Sequence, residues 1–535
     1  MKRVSFRTIL RAGSLALILA VSVWALLPPA SDRETPGSGR RIYGDEVRFV
    51  IKVSPGPQYM PGSAPFGIGE PLRGLSDVIE DFERRFPDTR IEVLTVPGVR
   101  EYLVSLLSSG QAPDIINVNV EDVWIDVQKN WYVPLDSFLE APNEFIREQG
   151  DPDAPGYRQW WDMFKYQAIS RGKAAPDGKN YCLSYDMVET GVFYNKTIFR
   201  EVGVEVPANW DEFMVMLRKL KDAGHTPLLM HSELFNDWCT DLFFDQLYYA
   251  ILPGIDLYQD PSREPYLQGY LDDFEISFLF RKGFFTKDDP RYMEVWRIMK
   301  ELRQYTNQNI ATVDLTREFV TRKAAMVWNS SPFLYRLKAD RHLGFDWGVF
   351  YLPQFTKNTS PYASETPMCV IGGAAVQFEV TNSAVSDTPP EMPFEERVAA
   401  SERLRRVIQF LQFLCIPEQY VRIVNEYECF LPNIVGVPVA PALKPFEEIL
   451  ERRYTTTKWV FTFDLKFAEI QRRLIELYLN GGISLDGFMD WQTSNIAYGA
   501  DNLFFRRKFD VDELQRVWEE KAPLRAGMEG LPDAD

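Results

Sequence analysis

The sequence predicts an α/β protein whose sheets are mainly parallel and doubly wound. Three short apolar runs have the composition of buried strands: residues 47–53 (VRFVIKV), 90–96 (RIEVLTV) and 113–120 (PDIINVNV). Residues 72–86 lie between the first two runs and place apolar side chains at helical spacing, and residues 102–107 do so between the second and third. Strands that alternate with helices in this order form a parallel sheet, and ligands then bind beyond the carboxyl ends of its strands.

A further helix is predicted from Asn209. The Asn209 side chain can accept hydrogen bonds from the first turn, Glu212 is its capping-box partner, and Gly224 ends the helix. Residues 252–289 and 379–396 show no clean period, and we interpret both stretches as insertions. With 535 residues and 45% hydrophobic content, the chain is expected to fold into two to four domains.

Charge and composition exclude several function classes. The formal net charge of −17 repels phosphate backbones, so nucleic acid is not an expected partner. Only three histidines are present and no CxxC spacing occurs, which leaves little for a zinc site, and we expect no metal and no cofactor. At most two intrachain disulfides are possible, but we expect buried thiols at the five cysteines: Cys182, Cys239, Cys369, Cys415 and Cys429.

The N-terminus carries an export signal or a membrane anchor. Basic residues at positions 2, 3, 7 and 11 precede a charge-free stretch from residue 12 to 30. That stretch is longer than a typical signal core and slightly shorter than a membrane span, so cleavage and anchoring both remain open. In either case the basic flank places the rest of the chain outside the cytoplasm. Residues 31–44 have the composition of a linker.

Enzyme signatures are absent or incomplete. The GIG at residues 67–69 lacks the third glycine of a dinucleotide fingerprint, because position 72 is leucine. No Walker A sequence and no G-x-S-x-G elbow occurs. A glycosidase needs only two carboxylates, which the 76 acidic residues allow without indicating a pair.

Five sequence blocks occur in an order typical of one family. The first consists of FERRFPDTRIEV, SSGQAPDIINV and NWYVPLDSFL. The second and most specific starts at Gly178 and reads GKNYCLSYDMVETGVFYNKTIFREVGVEVPANWDEF. The others are FVTRKAAMVWNSSPF from Phe319, then MCVIGGAAVQF, then RVIQFLQFLCIPEQYVRIVNEYECFLPNIVGV. Together the blocks span most of residues 47–440.

These blocks resemble the family 1 extracellular solute-binding proteins, which include the maltose- and oligosaccharide-binding components of ABC importers. The resemblance implies a two-lobed periplasmic-binding-protein type II fold, with crossing segments near residues 185–190, 368–374 and 430–437. The implied domains are a signal or anchor at 1–30, a linker at 31–44, lobe 1 at 45–187 plus 374–432, lobe 2 at 188–373 plus 433–527, and a tail at 528–535. Two features depart from the family: no lipid-attachment cysteine lies near the N-terminus, and the chain is longer than usual.

The resemblance implies a binding protein rather than an enzyme. A monomer outside the cytoplasm would close on a carbohydrate between its lobes and present it to ABC transporter permease subunits. An alternative is a membrane-anchored sensor with the same fold, and a carbohydrate-active enzyme is a further one. An enzyme would consume the ligand, whereas either binding protein would release it intact.

Sugar sites combine aromatic faces with directional hydrogen-bonding groups. By resemblance, Trp238 is the main stacking candidate, with Phe235 and Asp241 in the same segment. Phe243 and Phe244 are expected in the core. Glu121 and Asp122 follow a predicted strand and are either hydroxyl-binding residues or solvated loop acids.

Further candidates lie near the crossing segments and after the KAAM sequence. Asp186 and Glu189 match positions where the family often holds a hydroxyl near the hinge. After KAAM, the family places polar and stacking residues, here Asn329 and Phe333. Gly372 and Gly373 either let the backbone approach the ligand closely or form a β-bulge. The weakest candidate is Tyr59, and Trp160 and Trp161 belong to either the core or the rim.

Overall fold

A computed structural model describes the chain from residue 47 onwards. The predicted signal or anchor, the linker and the candidates Glu121 and Asp122 lie outside the described residues. No helix within the described part is long and apolar enough to cross a membrane. The described residues are 47–64, 69–96, 100–118, 123, 126–165, 175, 177, 179–232, 235, 238–257, 270–364, 372–373, 376–451, 458–459, 461, 463, 465–507 and 511–532.

The strands and helices are numbered here in chain order. The strands are β1 (Phe49–Ser54), β2 (Thr89–Val93), β3 (Ile115–Ile116), β4 (Cys182–Ser184), β5 (Asp186–Asn195), β6 (Thr226–Leu229), β7 (Tyr270–Leu271), β8 (Ala324–Ser330), β9 (Trp347–Phe350), β10 (Gly372–Gly373), β11 (Gln377–Val380), β12 (Leu431–Pro432) and β13 (Lys458–Trp459). The helices are α1 (Gly74–Arg85), α2 (Arg100–Ser108), α3 (Asp136–Leu139), α4 (Glu144–Gln149), α5 (Lys196–Val202), α6 (Trp210–Asp222), α7 (Cys239–Tyr248), α8 (Leu252–Ile255), α9 (Asp273–Arg281), α10 (Pro290–Arg303), α11 (Leu315–Val320), α12 (Phe333–Ala339), α13 (Phe394–Ala400), α14 (Glu402–Leu414), α15 (Pro417–Val424), α16 (Leu465–Leu479), α17 (Leu485–Arg507), α18 (Val511–Glu520) and α19 (Ala522–Arg525).

The first sheet has the strand order β2-β1-β3-β11-β4. Strand β1 runs parallel to β2 and β3, as the β-α-β-α-β pattern predicts. The third strand is shorter than predicted because side chains take over its hydrogen bonds. The Val118 amide donates to the Glu379 carboxylate (3.1 Å), and the Gln377 amide donates to the Asn117 side chain (3.2 Å).

The second sheet has the order β10-β5-β8-β6, with β9 and β12 also on β5. In the first sheet β11 runs antiparallel to β3 and β4, and the second sheet has a larger antiparallel share. There β6 and β8 are parallel, whereas β5 runs antiparallel to β8, β9, β10 and β12. Strand β5 follows β4 after a single residue, Tyr185, and therefore enters the sheet directly from the first lobe. No crossover helix precedes it that would turn it parallel to β8.

Two predicted helices have well-defined starts. Helix α1 begins at Gly74, two residues later than predicted, because the distant Glu426 carboxylate accepts from the Arg73 (2.7 Å) and Gly74 (2.8 Å) amides. Helix α6 is capped by Asn209, which accepts from the Glu212 amide at 3.0 Å. The Glu212 carboxylate reaches back one residue further than expected, to the Ala208 amide at 2.9 Å.

Residues 252–289, interpreted as an insertion because no clean period marks them, contain regular structure. Helices α8 and α9 lie there, and Ile276, Phe278 and Leu279 of α9 are buried. Helix α9 packs against both α17 and α18, so apolar residues surround it and no one-sided period appears in its sequence. Residues 379–396 also contain regular structure, namely the end of β11 and the start of α13.

Separate hydrophobic cores support the two sheets. The core around the first sheet includes Phe82, Trp160 and Phe413, and the core beside the second includes Trp210 and Trp296. The cysteines that the structure describes are free thiols, of which Cys182 is half-buried and the other three are buried: Cys239, Cys415 and Cys429.

A buried ion pair joins three segments of the first lobe. The Arg403 guanidinium donates to both oxygens of the Asp114 carboxylate (2.9 and 2.7 Å) and to the Val50 carbonyl (2.6 Å). Asp114 is buried and also accepts from the Lys52 amide at 2.8 Å. The pair therefore joins α14 to β1 and to the segment leading into β3.

We expect Arg403→Met to lower the free energy of unfolding by about 3 kcal/mol, because it leaves the Asp114 carboxylate buried without its cation. Urea denaturation measures this change. The matched control is Arg473→Met, which breaks an exposed pair with Glu469 on α16 and should cost less than about 1 kcal/mol. Equal losses in the two variants would contradict a special role for the Arg403 pair.

Candidate functional site

The three predicted crossing segments lie side by side on the first half of β5. Gly372 and Gly373 of β10 pair with Glu189 and Val188, and Pro432 of β12 pairs with Asp186. All pairings are antiparallel. The chain thus passes between the two lobes along adjacent strands, which is the arrangement of a hinge.

A buried carboxylate anchors the start of β5. Asp186, the first residue of β5, accepts a hydrogen bond from the Tyr59 hydroxyl at 2.6 Å and another from the Val376 amide at 2.9 Å. Both Tyr59 and Asp186 are buried. Burial, and then the Asp186 charge, raise the pKa of Tyr59 well above its ordinary value, so its hydroxyl stays protonated and donates.

A second hydroxyl supports the same region. The Tyr420 hydroxyl donates to the Tyr185 carbonyl and accepts from the Asn433 amide at 2.8 Å. The Asn433 side chain donates to the Ser184 carbonyl at 3.0 Å. Burial raises the pKa of Tyr420 well above its ordinary value. Residues on both sides of the crossing from β4 to β5 are therefore bound to the returning segment that contains β12.

Glu189 and Asn329 lie close together in the second sheet. Glu189 is buried, its carboxylate accepts from the Thr190 amide at 2.6 Å, and its carbonyl accepts from the Ser331 amide at 2.7 Å. Asn329 lies opposite Gly191 near the carboxyl end of β8, is half-buried, and accepts from the Ser330 amide. Both residues thus lie at the end of the second sheet that adjoins the crossing strands.

Two amide side chains that the sequence analysis missed lie together where β3 ends and β11 begins in the first sheet. Asn117 follows β3, and Gln377 begins β11 and donates to the Val118 carbonyl at 2.8 Å. Gly56 follows β1 with φ of 79°, and a Cβ atom there would lie 2.4 Å from the Asn117 Nδ2 atom. The signal was available, because Asn117 is a polar residue at the carboxyl end of an apolar strand.

The predicted aromatic segment belongs mostly to the core of the second lobe. Phe235 is fully buried, and Asp241 is buried with its carboxylate accepting from the Trp459 amide at 3.2 Å. Trp238, immediately before α7, is only partly buried. It is therefore the member of this segment with aromatic surface outside the core.

Other aromatic candidates are core residues. Phe333 is buried at the start of α12 and packs edge-on against Phe193, with ring centroids 5.2 Å apart. Phe243 and Phe244 lie in the core, as expected. Trp160 and Trp161, which were expected in either the core or the rim, are both buried and belong to the core.

The structure therefore gathers Tyr59, Asp186, Glu189, Gly372 and Gly373 at the crossing, with Asn329 on a neighbouring strand. Trp238 lies apart from them, in the segment before α7. Within the described ranges, no group of three His, Cys, Asp or Glu side chains is placed to hold a metal ion. The arrangement offers carboxylates and amides beside the crossing strands, and these groups are suited to directional hydrogen bonding of a ligand.

Sequence comparison identifies a family and two partial relatives. The model described as "Bacterial extracellular solute-binding protein" matches residues 69–376, more than half of the chain. The multiple sugar-binding protein of Streptococcus mutans is 27% identical over 156 residues, or 29% of this chain and 32% of that protein. The osmoprotective compounds-binding protein GgtB of Synechocystis is 29% identical over 188 residues, or 33% of this chain and 39% of that protein. The chain thus spans about a third of the length of these relatives.

Solved structures show the fold over most of the chain. The bacterial solute receptor AcbH, described as having an exclusive preference for β-D-galactopyranose, matches with a TM-score of 0.58 and 15% identity, covering 85% of this chain and 99% of that one. A chitin oligosaccharide binding protein matches with a TM-score of 0.56 and 16% identity, covering 86% and 100%. RafE from Streptococcus pneumoniae matches with a TM-score of 0.55 and 16% identity, covering 85% of this chain and 99% of that one. The predicted two-lobed periplasmic-binding-protein type II fold is confirmed.

We expect Tyr59→Phe to lower the free energy of unfolding by about 2 kcal/mol, because a hydrogen bond to a buried carboxylate is lost. The matched control is Tyr181→Phe, whose hydroxyl donates at 2.7 Å to the exposed Asp177 carboxylate and should matter less. Denaturant unfolding of both variants tests this. A Tyr59→Phe loss no larger than the control would show that the hinge does not depend on this bond.

Proposed function

The chain belongs to the family of bacterial extracellular solute-binding proteins, and we propose that it captures a carbohydrate between its two lobes for an ABC importer. The observation that carries this proposal is the convergence of three crossing segments on β5, fastened by Asp186. A hinge of adjacent strands lets two separately packed lobes rotate as bodies. A ligand that contacts both lobes then stabilises the closed form by its additional contacts.

A carbohydrate is the proposed ligand class for two reasons. Carboxylates and amides near the crossing strands, including Asn117, Glu189 and Asn329, can take the hydroxyls of a sugar. The printed names of a partial relative and of similar folds refer to sugars: multiple sugars, chitin oligosaccharides and galactopyranose. The partly buried Trp238 supplies an aromatic face for the apolar side of a pyranose.

The remaining site assignments follow the family resemblance. We propose that Glu121 and Asp122 contact the ligand from the first lobe, and that Gly372 and Gly373 allow close backbone approach. Tyr59 and Asp186 act as positioning residues, since their side chains are bound to each other. Phe235, Asp241 and Phe333 are buried and support the site from behind.

The proposal extends to the biological setting. The protein would act outside the cytoplasm as a monomer, with residues 1–30 as a signal or an anchor and with permease subunits as its partners. Lobe 1 would comprise residues 45–187 plus 374–432, and lobe 2 residues 188–373 plus 433–527. The ligand would be released intact, with no chemical step.

Thermal unfolding of the full chain against a panel of mono- and oligosaccharides tests the function. A ligand at 100 times its dissociation constant should add about 2.7 kcal/mol to stability. Each sugar is recovered afterwards and checked for cleavage. Stabilisation with intact sugar is the expected result, whereas cleaved sugar would contradict a binding protein, and no shift with any sugar would contradict the carbohydrate class.

The same assay applied to variants tests the site. Trp238→Ala should weaken binding of the stabilising sugar by at least about tenfold, because a stacking face is removed. Trp131→Ala is the control, because Trp131 is also half-buried. Its neighbour Tyr132 forms a β-bridge with Thr381, which lies beyond the end of β11 opposite to Gln377. Equal effects in the two variants would remove Trp238 from the site.

A further inference from the structure

A row of exposed aromatic residues runs along helix α17 in the second lobe. Trp491, Tyr498 and Phe505 expose 59%, 44% and 85% of their surface, respectively. They follow one another at intervals of seven residues, which keeps them on one side of the helix and about 10 Å apart along its axis. We call these three residues the α17 row.

Other residues of α17 pack the helix against the second lobe without help from this row. Phe488, Met489, Ile496 and Leu503 are buried and join the core of the second lobe. The helix packs through them against α9 and α16. The α17 row therefore lies on the side of the helix away from the core, and none of its three rings belongs to the core of the second lobe.

Polar groups separate the three rings. Ser494 and Asp501, each three residues after a row member, are exposed. The Ser494 hydroxyl donates to the Asp490 carbonyl at 2.9 Å, and Asp501 accepts from Arg281 at 3.3 Å, so each oxygen keeps capacity to accept a further hydrogen bond. Asp490 lies next to Trp491 and pairs with Lys287 at 3.7 Å. The Lys466 ammonium lies 4.7 Å from the Tyr498 ring centroid and helps to fix that ring. The surface consists of isolated rings with hydrogen-bonding groups between them, rather than one continuous apolar patch.

This pattern does not suit a helical partner or an anionic lipid surface. A helix that packs on α17 would need apolar residues at both the first and the fourth positions of each heptad, and the fourth positions here are Ser494 and Asp501. Anionic lipid headgroups attract unpaired basic residues, whereas here Lys287 and Arg281 are paired with Asp490 and Asp501. A chain of pyranoses has what the pattern requires, because each sugar has an apolar face and hydroxyls around its edge.

We propose that the α17 row is a second carbohydrate-binding site, outside the cleft, that stacks sugars along an extended glycan. Trp491, Tyr498 and Phe505 provide the three stacking faces. Ser494 and Asp501 take hydroxyls between them. Such a site holds the protein on a polymeric glycan while the cleft binds a short, soluble sugar. It does not depend on the identity of the cleft ligand.

Sedimentation of the full-length chain with insoluble cellulose, chitin and xylan tests this proposal. The wild-type chain is expected to be retained on at least one of these polymers. The triple variant Trp491→Ala/Tyr498→Ala/Phe505→Ala should bind that polymer on the order of a hundredfold more weakly, and each single variant about tenfold. The control Tyr102→Ala removes an aromatic residue of similar exposure from α2 in the first lobe, and its retention should match the wild type.

The cleft is measured separately, by thermal shift with the soluble sugar panel. Unchanged cleft binding in the triple variant, with lost retention, supports the second site. Retention without any cleft binding also supports it, while contradicting the proposed function. Retention on none of the polymers, equal retention of triple variant and wild type, equal loss in Tyr102→Ala, or self-association that disappears in the triple variant would each overturn the proposal.

Discussion

The crossing from β4 into β5 depends on the buried carboxylate of Asp186. A charge removed from water is expensive unless hydrogen bonds compensate it. Here the compensation comes from two other parts of the chain, the Tyr59 hydroxyl and the Val376 amide. Satisfying one carboxylate therefore fixes the start of β5 against the loop after β1 and against the segment between β10 and β11. The first-lobe end of this crossing is therefore anchored.

The two cores on either side are built separately, which is why a hinge can operate. One core surrounds the first sheet, and the other holds the second sheet together with the C-terminal helices. Other contacts join the lobes near the crossing strands, such as the Val435 amide to the Met163 carbonyl (2.8 Å) and the Ser331 hydroxyl to the Cys429 carbonyl (3.0 Å). Among them, Tyr335 of α12 packs on Tyr427 with centroids 4.1 Å apart, and Lys338 pairs with Glu428 at 2.8 Å. These contacts lie on residues leading into β12, close to the hinge, where a rotation moves them least.

Local patterns predicted much of the first lobe. Strands β1 and β2 and helix α1 were recognisable because each has one buried face and a clear period. The hinge positions Asp186 and Glu189 came from the family resemblance instead, since no local period marks a crossing strand. The helices within residues 252–289 were missed because α9 is buried on several sides. The start of α1 was also missed, because its capping carboxylate, Glu426, is more than 350 residues away.

The candidate site was predicted less completely, for a physical reason. An aromatic residue near a binding cleft and one in a core have the same sequence pattern, so Phe235 and Phe333 could not be told from Trp238 before their burial was known. Asn117 and Gln377 were missed because their importance comes from the meeting of β3 with β11, which are separated by some 260 residues. Only the assembled sheet places these two side chains at one edge.

Ligand-driven closure about the Asp186 hinge is the central claim, and an interlobe distance measures it most directly. Cysteines introduced at Tyr102 of α2 and Val215 of α6, both exposed, can carry a fluorescent donor and acceptor, with the unsubstituted chain as the labelling control. Of the native thiols that the structure describes, three are buried, and burial raises the pKa of Cys239, Cys415 and Cys429, so they label slowly. Addition of a sugar that stabilises the protein should increase energy transfer in a saturable way. Saturable binding with no change in transfer, from this pair and from a second pair across the cleft, would contradict the closing clamp.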